Sequence, residues 1–212
     1  MANICCNRHV FYTTNGNKNE LLRLHTNLSA VMEASSEAKN AYERGWLGLV
    51  AIKHGLDWEK EISCRGFIEH LDDYEPVSNF FTLDSNTDWV PMDELWEAVI
   101  AQYEGVSFVY VAEECGESIY INTDVEGLYF HEKYLLEICG YAPIPEGWYA
   151  AQDKPLILEI REYFSCFDDL RDYCIKLTGK EFDTLKELEG YLSDLFGEES
   201  NTITNVREFT PD

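Results

Sequence analysis

The first part of the chain carries a strand-like and then a helix-like pattern of apolar positions. Residues 4–14 mix β-branched and aromatic side chains with polar ones and end at Asn15-Gly16, which is typical of a strand followed by a turn. From about residue 19 to Met32 the apolar residues recur at helical spacing, which predicts an amphipathic helix. Residues 37–54 predict a second helix, which two glycines interrupt.

The next part of the chain predicts two strands, a helix and a further strand. Cys64–Leu71 and Phe80–Asp88 are the two strand candidates. Pro91 stands where the first turn of a helix tolerates proline, and apolar residues follow at helical spacing from Leu95 to Tyr103. Val106 to Glu113 then alternates in the manner of a strand.

The order of these elements predicts an α+β fold of the ferredoxin-like βαββαβ type, an antiparallel sheet with its helices on one face. The helices over 21–32 and 92–103 should then share a face, with Leu95 and Trp96 buried. A β-meander is expected to extend the sheet. It would comprise a hairpin at Cys115-Gly116 and a third strand over residues 128–136.

The composition changes after residue 140. Residues 141–154 contain two of the six prolines and predict a linker between a main domain at 1–140 and an appendage at 155–212. The appendage is expected to be rich in helix, with a capping box at Thr184-Leu185-Lys186-Glu187 and a short final strand from Thr202. Because so short a segment forms a poor core of its own, we expect it to pack on the main domain.

The charge of the chain is strongly negative. It contains 40 Asp and Glu against 16 Lys and Arg, a formal net charge of −24, yet 14% of its residues are aromatic. Disordered acidic tails are poor in aromatic residues, so a folded protein is expected. The charge disfavours binding to nucleic acid and to anionic membranes, and it leaves a basic protein surface as the plausible partner.

The acidic residues cluster along the sequence. Between Asp57 and Glu104 there are thirteen against two basic residues, and between Glu113 and Glu137 there are seven against one. Several of the tryptophans and tyrosines fall in these two regions. Such a body can hold carboxylates at fixed positions, as a decoy of the DNA backbone or a binder of a basic groove requires. The residues that this interpretation assigns to a partner-binding acidic face are Asp72, Asp73, Glu113, Glu114, Glu117, Asp124 and Glu126. Acidity that serves only solubility is the competing interpretation.

Enzymatic chemistry has little support in the sequence. Cys5 and His9 would lie about 13 Å apart along a strand, too far to share a metal ion, and Cys6 would face the other side. With seven cysteines and five histidines, the proximity of some pair is expected by chance. Phosphate-binding glycine motifs and calcium loops do not occur. We therefore predict no catalytic residue, no cofactor and no metal, and a small Cys/His- or metal-dependent enzyme is the alternative.

The N-terminus and the cysteines point to the cytoplasm. Residues 1–9 show no apolar stretch behind a basic start, and no run of residues is long and apolar enough to predict a membrane span. Seven cysteines in such a protein are expected to stay reduced. The expected location is the cytoplasm, which for a phage-encoded protein is that of the host cell.

Several motifs resemble a known family. The opening Met1-Ala2-Asn3-x-Cys5-x-Asn7 is similar to that of the YubB-like ferredoxin-domain proteins of phages and plasmids, although Ile4 replaces the usual aromatic residue. The motifs that continue the likeness, in order, are Cys64-Arg65-Gly66, Thr87-Asp88-Trp89-x-Pro91, Glu113-Glu114-Cys115-Gly116 with Ile119-Tyr120, and Asn122-Thr123-Asp124 before Gly127-x-Tyr129-Phe130. The resemblance covers roughly residues 1–136. It implies a ferredoxin-like fold without an iron–sulfur cluster, on a mobile element, and it supplies no catalytic residues.

These observations lead to one principal hypothesis. The protein is expected to be a non-enzymatic acidic protein of a phage or mobile element that inhibits a host nucleic-acid-binding enzyme, in an anti-restriction or anti-CRISPR role. The alternatives are an enzyme and an acidic binding domain with another role.

Overall fold

The chain divides after Asp124 into two compact units in a computed structural model. The structure describes residues 3–33, 45–116, 118–140, 148, 158–196 and 202–211. The first unit runs to Asp124 and the second from Val125 to Pro211. In the described residues, none of the helices is both long and apolar enough to cross a lipid bilayer.

The first unit is a five-stranded antiparallel sheet with three helices. Its elements in chain order are β1 Ile4–Thr13, α1 Lys18–Glu33, α2 Leu47–Lys53, β2 Gly66–Leu71, β3 Phe80–Asp88, α3 Asp93–Ile100, β4 Val106–Glu114 and β5 Ile119–Asn122. The strands lie in the order β2-β3-β1-β4-β5, and each neighbouring pair is antiparallel. The long first strand is central because it pairs with β3 on one side and β4 on the other.

Helices α1 and α3 pack on the same face of this sheet, as the sequence predicts. Phe11 and Phe81 stand opposite each other in β1 and β3 and therefore share a face. His25 of α1 contacts Phe81, with ring centroids 5.1 Å apart, and Trp96 of α3 contacts Phe11 at 5.3 Å. Leu95 and Trp96 are fully buried in this core. Burial of one large aromatic side chain stabilises such a core by several kcal/mol, on the order of 3–5.

The second unit has its own sheet and its own core. Its elements are β6 Tyr134–Gly140, β7 Leu158–Phe164, α4 Phe167–Thr178, α5 Leu185–Phe196 and β8 Thr202–Glu208. The strands lie in the order β7-β6-β8, both pairs antiparallel. The core contains Ile138 from β6, Leu170 from α4 and Leu188 from α5, all with 0% exposure. Trp148 is also buried there.

One prediction about this region is wrong. The third strand of the meander does not extend the first sheet: the strand forms at Tyr134–Gly140, and it pairs with β7 and β8. The helices of the C-terminal part share their core with β6, which belongs to the predicted main domain. Alternation along a strand indicates which side chains share a face but not which strand lies beside it. The division between the units accordingly precedes the predicted boundary at residue 140.

Other predictions have mixed outcomes. The second helix is confirmed only as Leu47–Lys53, since residues 34–44 lie outside the described part of the chain. The linker at 141–154 also lies outside it, except Trp148. The capping box forms in part: Thr184 Oγ1 accepts the Glu187 N–H at 3.2 Å, but the Glu187 carboxylate accepts the N–H of Asp183. The packing of an appendage on the main domain stays a prediction.

Candidate functional site

The predicted acidic face is not one face in the structure. Asp72 and Asp73 follow β2, at one edge of the first sheet, whereas Glu113 and Glu114 end β4. Two strands, β3 and β1, lie between β2 and β4. Three strand spacings amount to about 14 Å across the sheet. The two pairs of acids therefore belong to different parts of the surface.

Glu113 and Glu114 point to opposite faces of the sheet because they are adjacent in a strand. Glu113 stands opposite Cys6 and Tyr120 and is half-buried, whereas Glu114 is only 3% exposed. The Glu114 carboxylate accepts the N–H of Gly116 at 2.8 Å. Glu114 thus fixes the turn after β4 instead of presenting charge to a partner.

The remaining predicted residues are also scattered. Asp124 is 5% exposed, and its N–H donates to Asn122 Oδ1 at 2.9 Å. Glu126 is exposed and belongs to the second unit. Glu117 lies outside the described residues. The acidic composition of these segments does not predict that they share one surface, because the sheet order separates segments of similar composition.

Asp72 is tied into its own sheet. Thr82 Oγ1 and His70 Nε2 both contact its carboxylate, the histidine at 2.8 Å. The hydrogen bond from Thr82, with a smaller contribution from His70, lowers the pKa of the Asp72 carboxyl. Asp72 therefore carries its charge at neutral pH, but at the β2 edge.

A more promising surface lies where β1 begins and β3 ends. Ile4 stands opposite Asp88, and the N–H of Trp89 donates to the carbonyl of Asn3 at 3.0 Å. Three apolar side chains at this corner are exposed, Ile4 by 61%, Val90 by 43% and Trp89 by 36%. Exposed large apolar residues that lie together are an unusual feature that marks interaction sites.

Exposed carboxylates follow Trp89 and Val90 closely in the sequence, at the start of α3. Helix α3 begins at Asp93, whose Oδ2 accepts the Tyr110 hydroxyl at 2.9 Å, so the helix start is anchored on β4. Glu94 and Glu97, three residues apart, both point to solvent. We call the set of Ile4, Asp88, Trp89, Val90, Glu94 and Glu97 the acidic corner; Ile4 lies on the sheet face of Cys6, whereas Glu94 and Glu97 belong to the helix on the opposite face. It combines apolar contact area with negative charge on a rigid frame, which suits a cationic side chain with an apolar stem.

Sequence reasoning missed this corner as a site. In the sequence, Trp89 is notable only as one aromatic residue of an acidic region and as part of the family-like motif Thr87-Asp88-Trp89-x-Pro91. The only local signal is the position of a tryptophan two residues before Pro91. That signal does not predict exposure, because a tryptophan beside a strand end is usually buried.

A cluster of polar side chains lies buried between the sheet and α3. It consists of Cys5, Asn7 and His9 of β1 with Ser85 and Thr87 of β3, and each is at most 4% exposed. Asn7 Nδ2 donates to Thr87 Oγ1 and to the Cys5 carbonyl, each at 2.9 Å. Thr87 Oγ1 donates in turn to the carbonyl of Val90 at 2.8 Å. This network ties the first strand to the turn that carries Trp89.

His9 has an unusual environment in this cluster. Its ring packs against Trp96, Tyr110 and Phe11 at centroid distances of 5.1, 5.5 and 5.9 Å. Neither ring nitrogen has a hydrogen-bond partner among the described residues. Burial lowers the pKa of His9 from 6.5 to about 3, so the imidazole is neutral.

The buried cluster does not have the properties of an active site. Burial raises the pKa of the Cys5 thiol to about 12, so Cys5 is not a thiolate nucleophile. Cys6 is exposed on the other face of β1, as the alternation predicts. The part of the chain that the structure describes contains no group of three or more His, Cys, Asp or Glu placed to hold a metal ion.

Thiol accessibility gives a direct test of this arrangement. All seven cysteines are free: Cys6, Cys115, Cys139 and Cys166 are exposed, and Cys5, Cys64 and Cys174 are buried. Burial raises the pKa of Cys64 to about 11 and that of Cys174 to about 12. Four thiols should therefore react rapidly with Ellman's reagent in the folded protein and the other three only in denaturant. Rapid reaction of all seven in the folded protein would contradict the buried positions.

The second unit carries an open cleft. Its volume is about 540 Å³, and its lining includes Tyr163, Asp169, Asp172, Tyr173 and Lys176. Ser165 Oγ donates to Asp169 Oδ2 at 3.2 Å across part of this surface. The cleft contains charged side chains of both signs.

Comparisons with known protein families, with curated proteins and with solved structures find no match to this chain. The resemblance to the YubB-like proteins therefore stays a prediction.

Proposed function

We propose that the protein is a non-enzymatic binding protein whose acidic surface attaches to a basic surface of another protein. Acidic residues outnumber basic ones in both parts of the sequence, by 21 to 8 up to Asp124 and by 19 to 8 beyond it. A negative potential of this size favours association with positively charged surfaces. It also opposes contact with nucleic acid and with anionic lipid.

The observation that carries this proposal is that most of the arginines are paired with carboxylates of the same chain. Five of the seven arginines form ion pairs within the chain, which are Arg8–Asp84, Arg23–Glu20, Arg161–Glu137, Arg171–Asp168 and Arg207–Glu189. Each pair offsets one carboxylate and removes one cation that could repel a basic partner. Glu94 and Glu97 are among the excess carboxylates that face solvent.

The acidic corner is the contact surface in this proposal. Its apolar side chains add contact area, and the polar cluster beneath it holds the backbone in place. The sheet order β2-β3-β1-β4 also supports a ferredoxin-like class for the first unit, with β5 added at one edge. Such a fold offers a rigid surface, which is consistent with binding as the activity.

The partner in this proposal is a host nucleic-acid-processing enzyme. Its nucleic-acid groove would be lined with lysine and arginine, and a fixed set of carboxylates can occupy such a groove. The phage or mobile-element origin and the anti-restriction or anti-CRISPR role rest on the family resemblance.

Salt dependence tests the proposal. A fluorescent peptide of alternating arginine and glycine is titrated with the protein at increasing salt. The Debye length falls from about 10 Å at 0.1 M to about 3 Å at 1 M, so the affinity should drop by at least about tenfold over that range. Labelled duplex DNA should not bind at any salt concentration. Peptide affinity that is independent of salt would contradict electrostatic attraction as the mechanism.

A matched pair of variants tests whether the charge acts at a defined surface. The double variant Glu94→Lys with Glu97→Lys changes the acidic corner, and Glu181→Lys with Asp194→Lys makes the same change in charge at exposed positions of the second unit. We expect the first to weaken peptide binding about tenfold and the second about twofold or less. Equal losses would mean that the charge acts diffusely, as a solubilising charge does.

A further inference from the structure

Trp89 has a backbone conformation that tryptophan rarely adopts. Its φ is 71°, and it is one of only two residues other than glycine with positive φ in the described chain. The N–H of Val90 donates to the carbonyl of Asp88 at 2.9 Å, which closes a γ-turn with Trp89 at its centre. The γ-turn with positive φ is the rarer and more strained of the two forms. For a bulky residue, this conformation has an energetic cost.

The surroundings hold the strained turn in place. The Asp88 N–H donates to the Arg65 carbonyl at 3.1 Å, and the Trp89 N–H donates to the Asn3 carbonyl. Thr87 Oγ1 donates to the Val90 carbonyl. These contacts use backbone atoms or neighbouring side chains, so a glycine at position 89 could make the same turn without strain. The turn therefore does not explain the indole.

The indole is accessible instead of forming part of a core. Its side chain is 36% exposed, beside the more exposed Ile4 and Val90, whereas Trp96 only a few residues later is fully buried. A strained residue whose side chain faces solvent suggests a role in recognition. Asp88, the residue directly before Trp89, supplies a carboxylate next to it in the sequence.

We infer that Trp89 is a stacking platform for an arginine side chain of the basic partner. A guanidinium is planar, stacks on an indole face and can pair at the same time with a carboxylate such as Asp88. An ammonium group is a more strongly hydrated point charge, and it gains less from the ring. The surface thus distinguishes arginine from lysine, which net charge alone does not. This inference rests on the proposed function, since it names the group that the acidic corner binds.

The test compares two peptides of equal length and charge, one of alternating arginine and glycine and one of alternating lysine and glycine. The protein is labelled with ¹⁵N-tryptophan, and the five indole N–H signals are followed during each titration. The Trp89 signal, assigned by its loss in the variant Trp89→Phe, should shift most with the arginine peptide. The arginine peptide should bind about fivefold more tightly than the lysine peptide.

Two variants separate recognition from structure. Trp89→Gly should remove the preference for arginine while the urea midpoint of the protein does not fall, because glycine adopts the turn without strain. Trp89→Phe keeps an aromatic ring and should retain part of the preference. A preference unchanged in both variants, or a Trp89 signal that does not shift, overturns the inference.

The outcomes also separate this inference from the proposed function. If the wild-type protein binds neither peptide, attraction to basic surfaces fails, and the inference fails with it. If it binds both equally and salt weakens both, the proposed function stands and the role of Trp89 is wrong.

Discussion

Replacing His9 by phenylalanine is expected to stabilise the protein, by an amount that grows as the pH falls. At neutral pH the variant removes a buried imidazole whose two nitrogens have no hydrogen-bond partner among the described residues. An unsatisfied buried polar group costs about 1–3 kcal/mol. Phenylalanine also suits the aromatic surroundings of Phe11, Trp96 and Tyr110. Urea unfolding of both proteins at several pH values measures the difference.

The pH dependence follows from the direction of the pKa shift. In the unfolded chain a histidine binds a proton below a pH of about 6.5. Burial lowers the pKa of His9 in the folded protein to about 3. Between these values the unfolded state binds more protons, so the wild type loses stability as the pH falls through this window. At a pH of about 5 the loss attributable to His9 is about 2 kcal/mol, and the variant does not suffer it.

Two controls keep this prediction independent of packing. Leucine at position 9 has no aromatic ring and is smaller than phenylalanine. The stability of His9→Leu should nevertheless change with pH in the same way as that of His9→Phe, because both variants lack the imidazole. His131→Asn removes an exposed histidine and serves as the surface comparison for the loss of one imidazole. A profile that is identical in wild type and His9→Phe would show that His9 titrates normally and is accessible to water.

Charge reversal at two neighbouring residues should have very different effects on stability. Glu114→Lys places an ammonium group in a site that is 3% exposed and removes the acceptor of the Gly116 N–H. An uncompensated buried charge and a lost hydrogen bond should lower the free energy of unfolding by about 3 kcal/mol or more. Glu113→Lys changes a half-buried residue on the other face, and we expect a loss of about 1 kcal/mol or less.

Chemical denaturation of the two variants under identical conditions measures this contrast. Glu114→Gln serves as a third variant, since it keeps an acceptor oxygen without the charge and should recover most of the stability lost in Glu114→Lys. Equal losses from Glu113→Lys and Glu114→Lys would contradict the opposite orientation of the two side chains. The result also decides which acids are suitable for binding experiments, because a reversal at Glu114 would weaken binding through unfolding.

The local elements of the first unit could be predicted well from the sequence. Phe80–Asp88 forms a strand with the predicted bounds, and Leu95 and Trp96 are buried as their spacing indicates. These features depend on periodicity, which is a local property of the chain. The pairing predicted for the strand at Tyr134–Gly140 is wrong, because strand pairing depends on residues far apart in the sequence.

The candidate site was harder to predict than the fold. Composition correctly indicated an acidic protein, but it could not show that Glu114 and Asp124 are buried or that Asp72 lies at another edge of the sheet. Charge is a property of the residue, whereas exposure is a property of the fold. The turn with Trp89 at its centre is likewise held by residues far from it along the chain, since the carbonyls of Asn3 and Arg65 accept the N–H groups of Trp89 and Asp88.

The position of β6 between β7 and β8 has a consequence for biosynthesis. β6 is the first of the three strands to leave the ribosome, but its neighbour β8 is the last, at Thr202–Glu208. One edge of β6 therefore stays unpaired until Thr202–Glu208 has been synthesised. Unpaired strand edges invite pairing with other chains, and long-range strand pairs form slowly. Nascent chains that stall before Thr202 should thus be especially prone to aggregation and to capture by chaperones.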